Sequence, residues 1–586
     1  MTAFGRRARS AAAVLVLGLL AGSAGGCSAG PAGSAGASAG ASVGASGPSA
    51  AGSGPSAGAA AVVAAATPLE PLPAAVPDAL APYYAQRPVW QPCDGGFECT
   101  TFRVPTDYDR PADGDLTLSA ARAVAVPGGS GAGSDPGTGL GFDPATGSVT
   151  GSVTNSVTGS AAGSGSSPGS GPRLGSLLLN PGGPGGSAIE YLEAVARTYD
   201  GSVRARYDLV GLDPRGVGRS NPVSCLSGER MDAFTAVDLE PGDQRAVDAL
   251  VAADKEFAEG CRRQAGPALG HLSTVEAARD MDVLRALIGD ERLNFVGKSY
   301  GTFLGATYAG LFPSRVGRLV LDGAMDPALD SVAGNRTQAG GFETAWAAFA
   351  EDCAGRADCP LGRTVPQIGE QLTALLGAVH AAPLPSTDHG RPLTGSQATT
   401  GVIQALYADF LWPQLRSALA DARAGDGSGL LKLSDAYYGR GADGSYPNLM
   451  FANTAVNCLD LPAPFRTPED VRRALPDFER ASPHFGRDMA WMALTCAYWP
   501  VRATGAAHTI RAAGAAPIVV IGTTRDPATP YDWARSLAGQ LESGRLLTYD
   551  GDGHTAYGRH NACVDGAVDH FLLTGEPPEQ DKRCGR

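Results

Sequence analysis

The chain has 586 residues, more than one minimal domain needs, and 43% of them are hydrophobic, enough for a substantial core. Its formal net charge is −13 with histidine neutral, which excludes a polyanion such as nucleic acid as the expected partner. Glycine accounts for 80 residues, and much of that excess is gathered in low-complexity tracts rather than in folded elements.

At the start of the chain Arg6, Arg7 and Arg9 precede an apolar run, Ala11 to Leu20, followed by small residues up to Cys27. A charged start, a short apolar centre and a small-residue cleavage zone are the anatomy of a secretory signal over 1–27. The run is shorter than the roughly 20 apolar residues of a membrane-spanning helix, and no other stretch is long enough. Ala24-Gly25-Gly26-Cys27 resembles a bacterial lipobox, with Ala24 where such sites usually carry Leu. That resemblance implies lipidation at Cys27 and anchoring to the outer face of the cell membrane. Cleavage nearby with full secretion is the alternative.

Residues 28–68 are almost wholly Ala, Gly, Ser and Pro, too poor in apolar surface to offset their ordering entropy, so a flexible tether is expected. A folded core follows over 69–329. Within it, a second tract at 128–172 contains TGSVTGSVTNSVTGS and lies between strand-like Leu116–Val126 and Leu174–Leu179. It reads as a long disordered loop inserted into a hairpin, because loop-closure entropy grows only slowly with length.

Strand and helix signals then alternate. Ser176–Leu179 ends in Asn180-Pro181-Gly182-Gly183-Pro184-Gly185-Gly186, and Tyr207–Leu212 ends in Asp213-Pro214-Arg215-Gly216. Leu293–Val296 ends in Gly297-Lys298-Ser299-Tyr300-Gly301, and Val316–Leu321 ends in Asp322-Gly323. Between 330 and 455 the strand signal fades. Phe342–Ala354, Val365–Ala381 and Thr399–Ala422 carry helical spacing and predict an inserted helical cap. The sheet pattern resumes over 456–586, where Pro517–Ile521 leads to Asp526 and Leu546–Tyr549 leads to Gly553-His554. This alternation predicts an α/β fold, a mostly parallel sheet with helices on both faces. Each polar cluster comes just past a strand's C-terminal end, where open α/β sheets place their ligands.

Setting Cys27 aside, ten cysteines remain: Cys93, Cys99, Cys225, Cys261, Cys353, Cys359, Cys458, Cys496, Cys563 and Cys584. An even count in an exported chain suits disulfides. Sequential pairing would close five local loops, but the sequence alone leaves the connectivity open. Neither CxxC nor a His/Cys cluster at zinc spacing occurs, so no metal and no cofactor are expected.

Gly297-Lys298-Ser299-Tyr300-Gly301 fits the pattern G-x-S-x-G, as do Gly36–Gly40, Gly40–Gly44, Gly54–Gly58 and Gly165–Gly169. Only the Ser299 copy follows a strand-like run and precedes a helix-compatible stretch, Thr302–Leu311. That context lifts a serine hydroxyl above a sheet edge. A serine needs a base to take its proton, and His554, on a loop just past the last strand, is the candidate among eight histidines. Asp526 fits the acid that orients the histidine. Asp322, also past a strand, is the runner-up, and Asp532 is the next. The glycine-rich loop supplies backbone N–H groups for an oxyanion hole, from Gly183 or Gly182 together with Tyr300.

With these residues assembled, the chain resembles the secreted bacterial tripeptidyl aminopeptidase group of α/β-hydrolases, relatives of proline iminopeptidase. The resemblance runs from about Trp90 to Cys584. It rests on Cys93…Cys99, Val104-Pro105-Thr106-Asp107-Tyr108, Asn180–Ser187, Asp213–Ser220 and Gly297–Gly301. Further along it rests on Asn457-Cys458-Leu459-Asp460, Cys496-Ala497-Tyr498-Trp499-Pro500, Asp526–Pro530 and Gly553-His554. The Gly/Ser/Thr insertion before Asn180 departs from the family's compact pattern. The resemblance implies the α/β-hydrolase fold and release of short peptides from free N-termini through an acyl-enzyme. A fixed anion would hold the substrate's ammonium group, with Asp460 as first candidate and Glu190 as second. An esterase or amidase using the same triad on small molecules is the alternative, and a non-catalytic surface lipoprotein is the third reading. Nothing in the sequence sets the oligomeric state.

Overall fold

The computed structural model describes residues 66–126, 171–388 and 390–585. The signal-like segment, Cys27, nearly all of the 28–68 and 128–172 tracts, and His389 lie outside the described residues. Ten strands form one mixed sheet: β1 (Gln91–Cys93), β2 (Phe97–Pro105), β3 (Asp115–Ala123), β4 (Gly175–Asn180), β5 (Tyr207–Leu212), β6 (Leu293–Lys298), β7 (Val316–Asp322), β8 (Ile518–Arg525), β9 (Gly544–Asp552) and β10 (Lys582–Cys584). In space they run β10-β9-β8-β7-β6-β4-β5-β3-β2-β1. β4 to β10 are mutually parallel, while β1, β2 and β3 form an antiparallel edge.

The central strands are buried on both faces, as parallel strands covered by crossover helices must be. Alternate residues still serve different cores. Leu178, Val210, Phe295, Ile518 and Val520 pack into one cluster, and Leu177, Leu179, Leu209, Val519 and Ile521 into the other.

Three expectations need correction. β3 and β4 do not form a hairpin, because β5 lies between them and pairs with both. The sequence shows two strands in succession but not which strand is slotted between them later. β3 also ends at Ala123, and Val124 and Val126 stand exposed beyond it. The boundary drawn near 455 falls inside a helix. Eight helices follow β7: Ser331–Ala354, Val365–Ala381, Gly395–Leu406, Trp412–Arg423, Ser428–Tyr438, Leu449–Asp460, Pro468–Ala481 and Gly486–Met492. The main sheet resumes only at Ile518. The helical insertion holds cores of its own, around Phe349, Leu372 and Leu415 and around Val471, Phe478 and Trp491.

The expected helical stretch Thr399–Ala422 is two helices, separated by a short 3-10 turn at Asp409–Leu411. The chain is extended at Ala408 between them, and Pro413 sits in the first turn of the second helix, where a missing N–H is tolerated.

The ten cysteines among the described residues are paired sequentially: Cys93–Cys99, Cys225–Cys261, Cys353–Cys359, Cys458–Cys496 and Cys563–Cys584.

A buried ion pair fixes the loop after β5. Arg215 donates through Nε and Nη2 to both oxygens of Asp280 at 2.7 Å, and both side chains are wholly buried. The guanidinium also donates to the carbonyls of Thr106 (3.0 Å), His271 (2.8 Å) and Pro105 (3.2 Å). Arg215→Leu therefore strands a buried carboxylate, and a loss of about 3–5 kcal/mol is expected, read as a lower thermal midpoint. Arg215→Lys should recover only part of it, because an ammonium cannot reproduce the fork.

Candidate active site

β6 delivers Ser299 at its C-terminal end with φ 56° and ψ −125°, a backbone region that residues with a Cβ seldom adopt. α3 (Tyr300–Leu311) begins at the next residue. The turn is so tight that a Cβ on Gly297 would stand 2.3 Å from the Gly301 carbonyl oxygen, which explains the glycine there.

Register decides what lies beside the serine. Asn180 of β4 is opposite Gly297 of β6, so the Pro181–Gly186 loop emerges alongside the elbow. This is the point where the chain order reverses, with β5 on one side of β4 and β6 on the other. A Cβ on Gly182 would stand 2.4 Å from the Lys298 carbonyl oxygen, 2.9 Å from Ser299 Cβ and 3.0 Å from Tyr300 N. The loop backbone thus runs in contact with the serine. The Gly182 N–H itself donates to Asn180 Oδ1 at 3.0 Å and is engaged, which corrects its expected role as an oxyanion donor. Gly183 is exposed. Tyr300, as the first residue of α3, has no intrahelical acceptor for its N–H.

β8 and β9 bring the other two candidates together. The His554 ring faces Asp526 through Nδ1, at 2.8 and 3.0 Å from the two carboxylate oxygens. Nδ1 is therefore the protonated nitrogen that donates. Nε2 is buried and without a partner among the described residues, leaving a lone pair free to take a proton. Asp526 is itself buried, and its carboxylate also accepts from the N–H groups of Ala528 (2.9 Å), Thr529 (2.9 Å) and Thr555 (3.2 Å).

The runner-up acid does a different job. Asp322 is wholly buried and accepts from the N–H groups of Ala556 (2.9 and 3.1 Å) and Tyr557 (3.0 Å). Lys298 bridges the same loop, donating to the Tyr557 carbonyl at 2.6 Å with its ammonium 3.9 Å from Asp322. Burial raises the Asp322 carboxyl above its ordinary range, and Lys298 opposes that rise. Asp322 holds the backbone of the histidine loop, while Asp526 holds the ring. Asp532 is exposed and pairs with Arg535.

The first candidate for an ammonium anchor is also corrected. Asp460 is buried, and both its oxygens are taken by Thr274, through the backbone N–H at 2.8 Å and the hydroxyl at 2.5 Å. It lies 186 residues from that partner in sequence, which no local pattern discloses. Glu190, by contrast, is exposed in the first turn of α1 (Ala188–Val195), directly after the glycine-rich loop. Partial desolvation, with the Asp213 charge adding, raises its carboxyl above the usual range. A cation placed there would reverse that rise.

Other contributors were not singled out from sequence. Tyr407, at the helix break in the cap, accepts the His554 backbone N–H at 2.8 Å and sets its ring edge-on to the imidazole at 5.6 Å. Thr529 Oγ1 stands 3.3 Å from His554 Nδ1. Asp213 accepts from Ser187 Oγ (2.7 Å) and from the N–H groups of Ile189 (3.0 Å) and Arg219 (2.8 Å), tying the loops after β4 and β5 together. Away from the site, Asp107, His271 and Glu276 present ligand atoms within 4.8 Å of one another. Arg110 at 2.9 Å from Asp107 and Arg215 at 3.5 Å from Glu276 already meet their charge, so the cluster is an ion-pair network.

Known proteins resemble this chain over most of its length. Residues 482–584 match the family model described as TAP-like protein. The chain is 34% identical over 527 residues to serine protease Hip1 of Mycobacterium tuberculosis, covering 86% of this chain and 92% of that protein. It is 35% identical over 501 residues to carboxylesterase B of the same organism, covering 83% and 86%. It is 34% identical over 426 residues to tripeptidyl aminopeptidase of Streptomyces lividans, covering 70% and 77%.

Proposed function

Because the chain belongs to the TAP-like family of α/β-hydrolases, alongside Hip1 and the tripeptidyl aminopeptidases, we propose that it releases short peptides from free N-termini through an acyl-enzyme. Ser299 Oγ attacks the scissile carbonyl carbon and passes its proton to His554 Nε2. The N–H groups of Tyr300 and Gly183 receive the developing oxyanion. His554 then returns the proton to the leaving amine, and a water, deprotonated by the same nitrogen, hydrolyses the ester. Asp526 keeps the imidazole in one tautomer and stabilises the imidazolium.

The observation that carries this reading is the buried, unpartnered Nε2 of a histidine whose other nitrogen is held by a carboxylate. Ser299 is on a strained strand-to-helix turn and its N–H donates to the Asp322 carbonyl at 2.9 Å; a Cβ on the residue after Asp322, Gly323, would stand 3.2 Å from His554 Cε1.

Glu190 is the acid left free to meet a substrate ammonium. With a tripeptidyl p-nitroanilide, Glu190→Gln should raise KM about tenfold while leaving kcat within twofold, since that contact is made equally in ground and transition states. N-acetylation of the substrate should cost the wild type the same factor and the variant nothing further.

A second reading, an esterase on small molecules, is favoured by the relative named carboxylesterase B. A panel of free peptides, N-blocked peptides and short-chain esters separates the two. Blocked peptides cleaved as fast as free ones, with faster ester turnover, would replace the aminopeptidase reading.

Export is part of the proposal, supported by the signal-like start and by five disulfides. Mass analysis of the mature N-terminus decides its form. A diacylglyceryl group on Cys27 would establish a lipoprotein, and an unmodified cleaved terminus a freely secreted enzyme.

A further inference from the structure

α4 (Leu449–Asp460), a helix of the cap, touches the glycine-rich loop near its start and, through Thr274, the Tyr300 side chain at its end. At its start the Leu449 carbonyl lies against the glycine-rich loop, so close that a Cβ on Gly185 would stand 2.4 Å from it. One turn on, Asn453 Nδ2 donates to the Pro184 carbonyl at 3.1 Å. At its far end Asp460 holds Thr274, the first residue of α2 (Thr274–Leu287), and the Thr274 hydroxyl stands 2.5 Å from the Tyr300 hydroxyl. Asp460, Thr274 and Tyr300 are 8%, 1% and 4% exposed, so the chain of hydrogen bonds is shielded from water. The helix end is pinned from behind, where the Leu459 carbonyl accepts from the N–H groups of Thr504 and Gly505 and Cys458 is bonded to Cys496.

Asp460 ends one helix, whose C-terminus repels negative charge, and meets the N-terminus of α2, which attracts it; burial disfavours the charge. Burial pushes the Asp460 carboxyl up to about 7 against the two hydrogen bonds from Thr274, with the Glu276 charge adding to the rise. Buried acids held under such conditions concentrate at functional sites.

Tyr300 has two attachments. Its backbone forms the elbow and carries the N–H proposed for the oxyanion, while its hydroxyl is tied to Thr274 on another element. The side chain is thereby a rigid strut between the cap and the first peptide of α3. We propose that Asp460 and Thr274 are positioning residues that hold the Tyr300 backbone N–H through its hydroxyl, so that one cap helix sets both sides of the oxyanion hole. The inference rests on the assignment of Ser299 and Tyr300 given above.

An oxyanion donor acts only in the transition state. Removing one costs about 10²–10³ in kcat, and misplacing one costs less. In the full-length protein, Tyr300→Phe and Thr274→Val should each lower kcat on an N-terminally free tripeptidyl p-nitroanilide about tenfold, with KM within twofold. The double variant should lose no more than either single one, because both cut the same strut. Thr274→Ser, which restores the hydroxyl, should return kcat to within about twofold of wild type.

Thermal midpoints and stoichiometric fluorophosphonate labelling are read on every variant. A folded, labelled Tyr300→Phe enzyme with kcat within twofold of wild type overturns the strut, as do losses that multiply in the double variant. A protein in which Ser299→Ala keeps its turnover overturns instead the assignment on which the strut rests.

Discussion

Ser299→Ala should leave a folded protein whose kcat is lower by about 10⁴ to 10⁶ and which no longer reacts with a fluorophosphonate. The groups left in place set the size of the loss. Without the hydroxyl no acyl-enzyme forms, and His554 and the oxyanion donors can only assist direct attack by water. Stability should move little, because Ser299 already occupies a strained backbone conformation and alanine removes only a half-buried hydroxyl. Equal thermal midpoints beside a vanished label would identify the nucleophile. Persistent labelling would place the reactive group elsewhere and remove the basis for every role assigned around it.

Asp526→Asn should cost about 10⁴ in kcat with the fold intact, through tautomer rather than position. The Asp526 carboxylate accepts from His554 Nδ1 and from three backbone N–H groups. An asparagine has one oxygen to offer, and the Ala528 and Thr529 N–H groups compete for it. Its amide would then face the imidazole with a donor, which favours a proton on Nε2 and leaves that nitrogen unable to accept one from Ser299. Fluorophosphonate labelling should slow by a comparable factor. Asp322→Asn, by comparison, should mainly lower the thermal midpoint, since the Asp322 carboxylate accepts from the backbone of the histidine loop and pairs with Lys298. If the two variants exchanged these phenotypes, Asp322 would be the triad acid.

Much of this site was legible in the sequence because strand ends carry the chemistry. Fully buried runs such as Tyr207–Leu212 stand out as short apolar stretches, and the Gly, Asp and Ser residues clustered just past them mark where the chain turns and meets solvent. Ser299 and His554 could be read from such context. Choosing between Asp322 and Asp526 was harder, since both come at the ends of neighbouring parallel strands. Only the direction of the His554 ring separates them, and that is a tertiary fact.

Asp460 illustrates a different limit. An acid near a cysteine reads as an anion free to hold a substrate's ammonium group until a threonine far away in the chain is found closing over it. Tyr407 was hidden because helical spacing continues from Thr399 to Ala422 in the sequence, although the helix itself breaks there. The eventual neighbours of β3 and β4 were likewise beyond a linear reading, since β5 enters between them after both have been made.

The residues described on either side of the Gly/Ser/Thr tract, Val126 and Leu174, are held close to one place. The Val126 N–H donates to the Arg204 carbonyl and the Leu174 N–H to the Arg206 carbonyl, just before β5 begins. β4 starts there too and carries the glycine-rich loop only at its opposite end. The described residues on either side of the tract are thus anchored side by side at the N-terminal ends of β4 and β5, the opposite end of β4 from its glycine-rich loop.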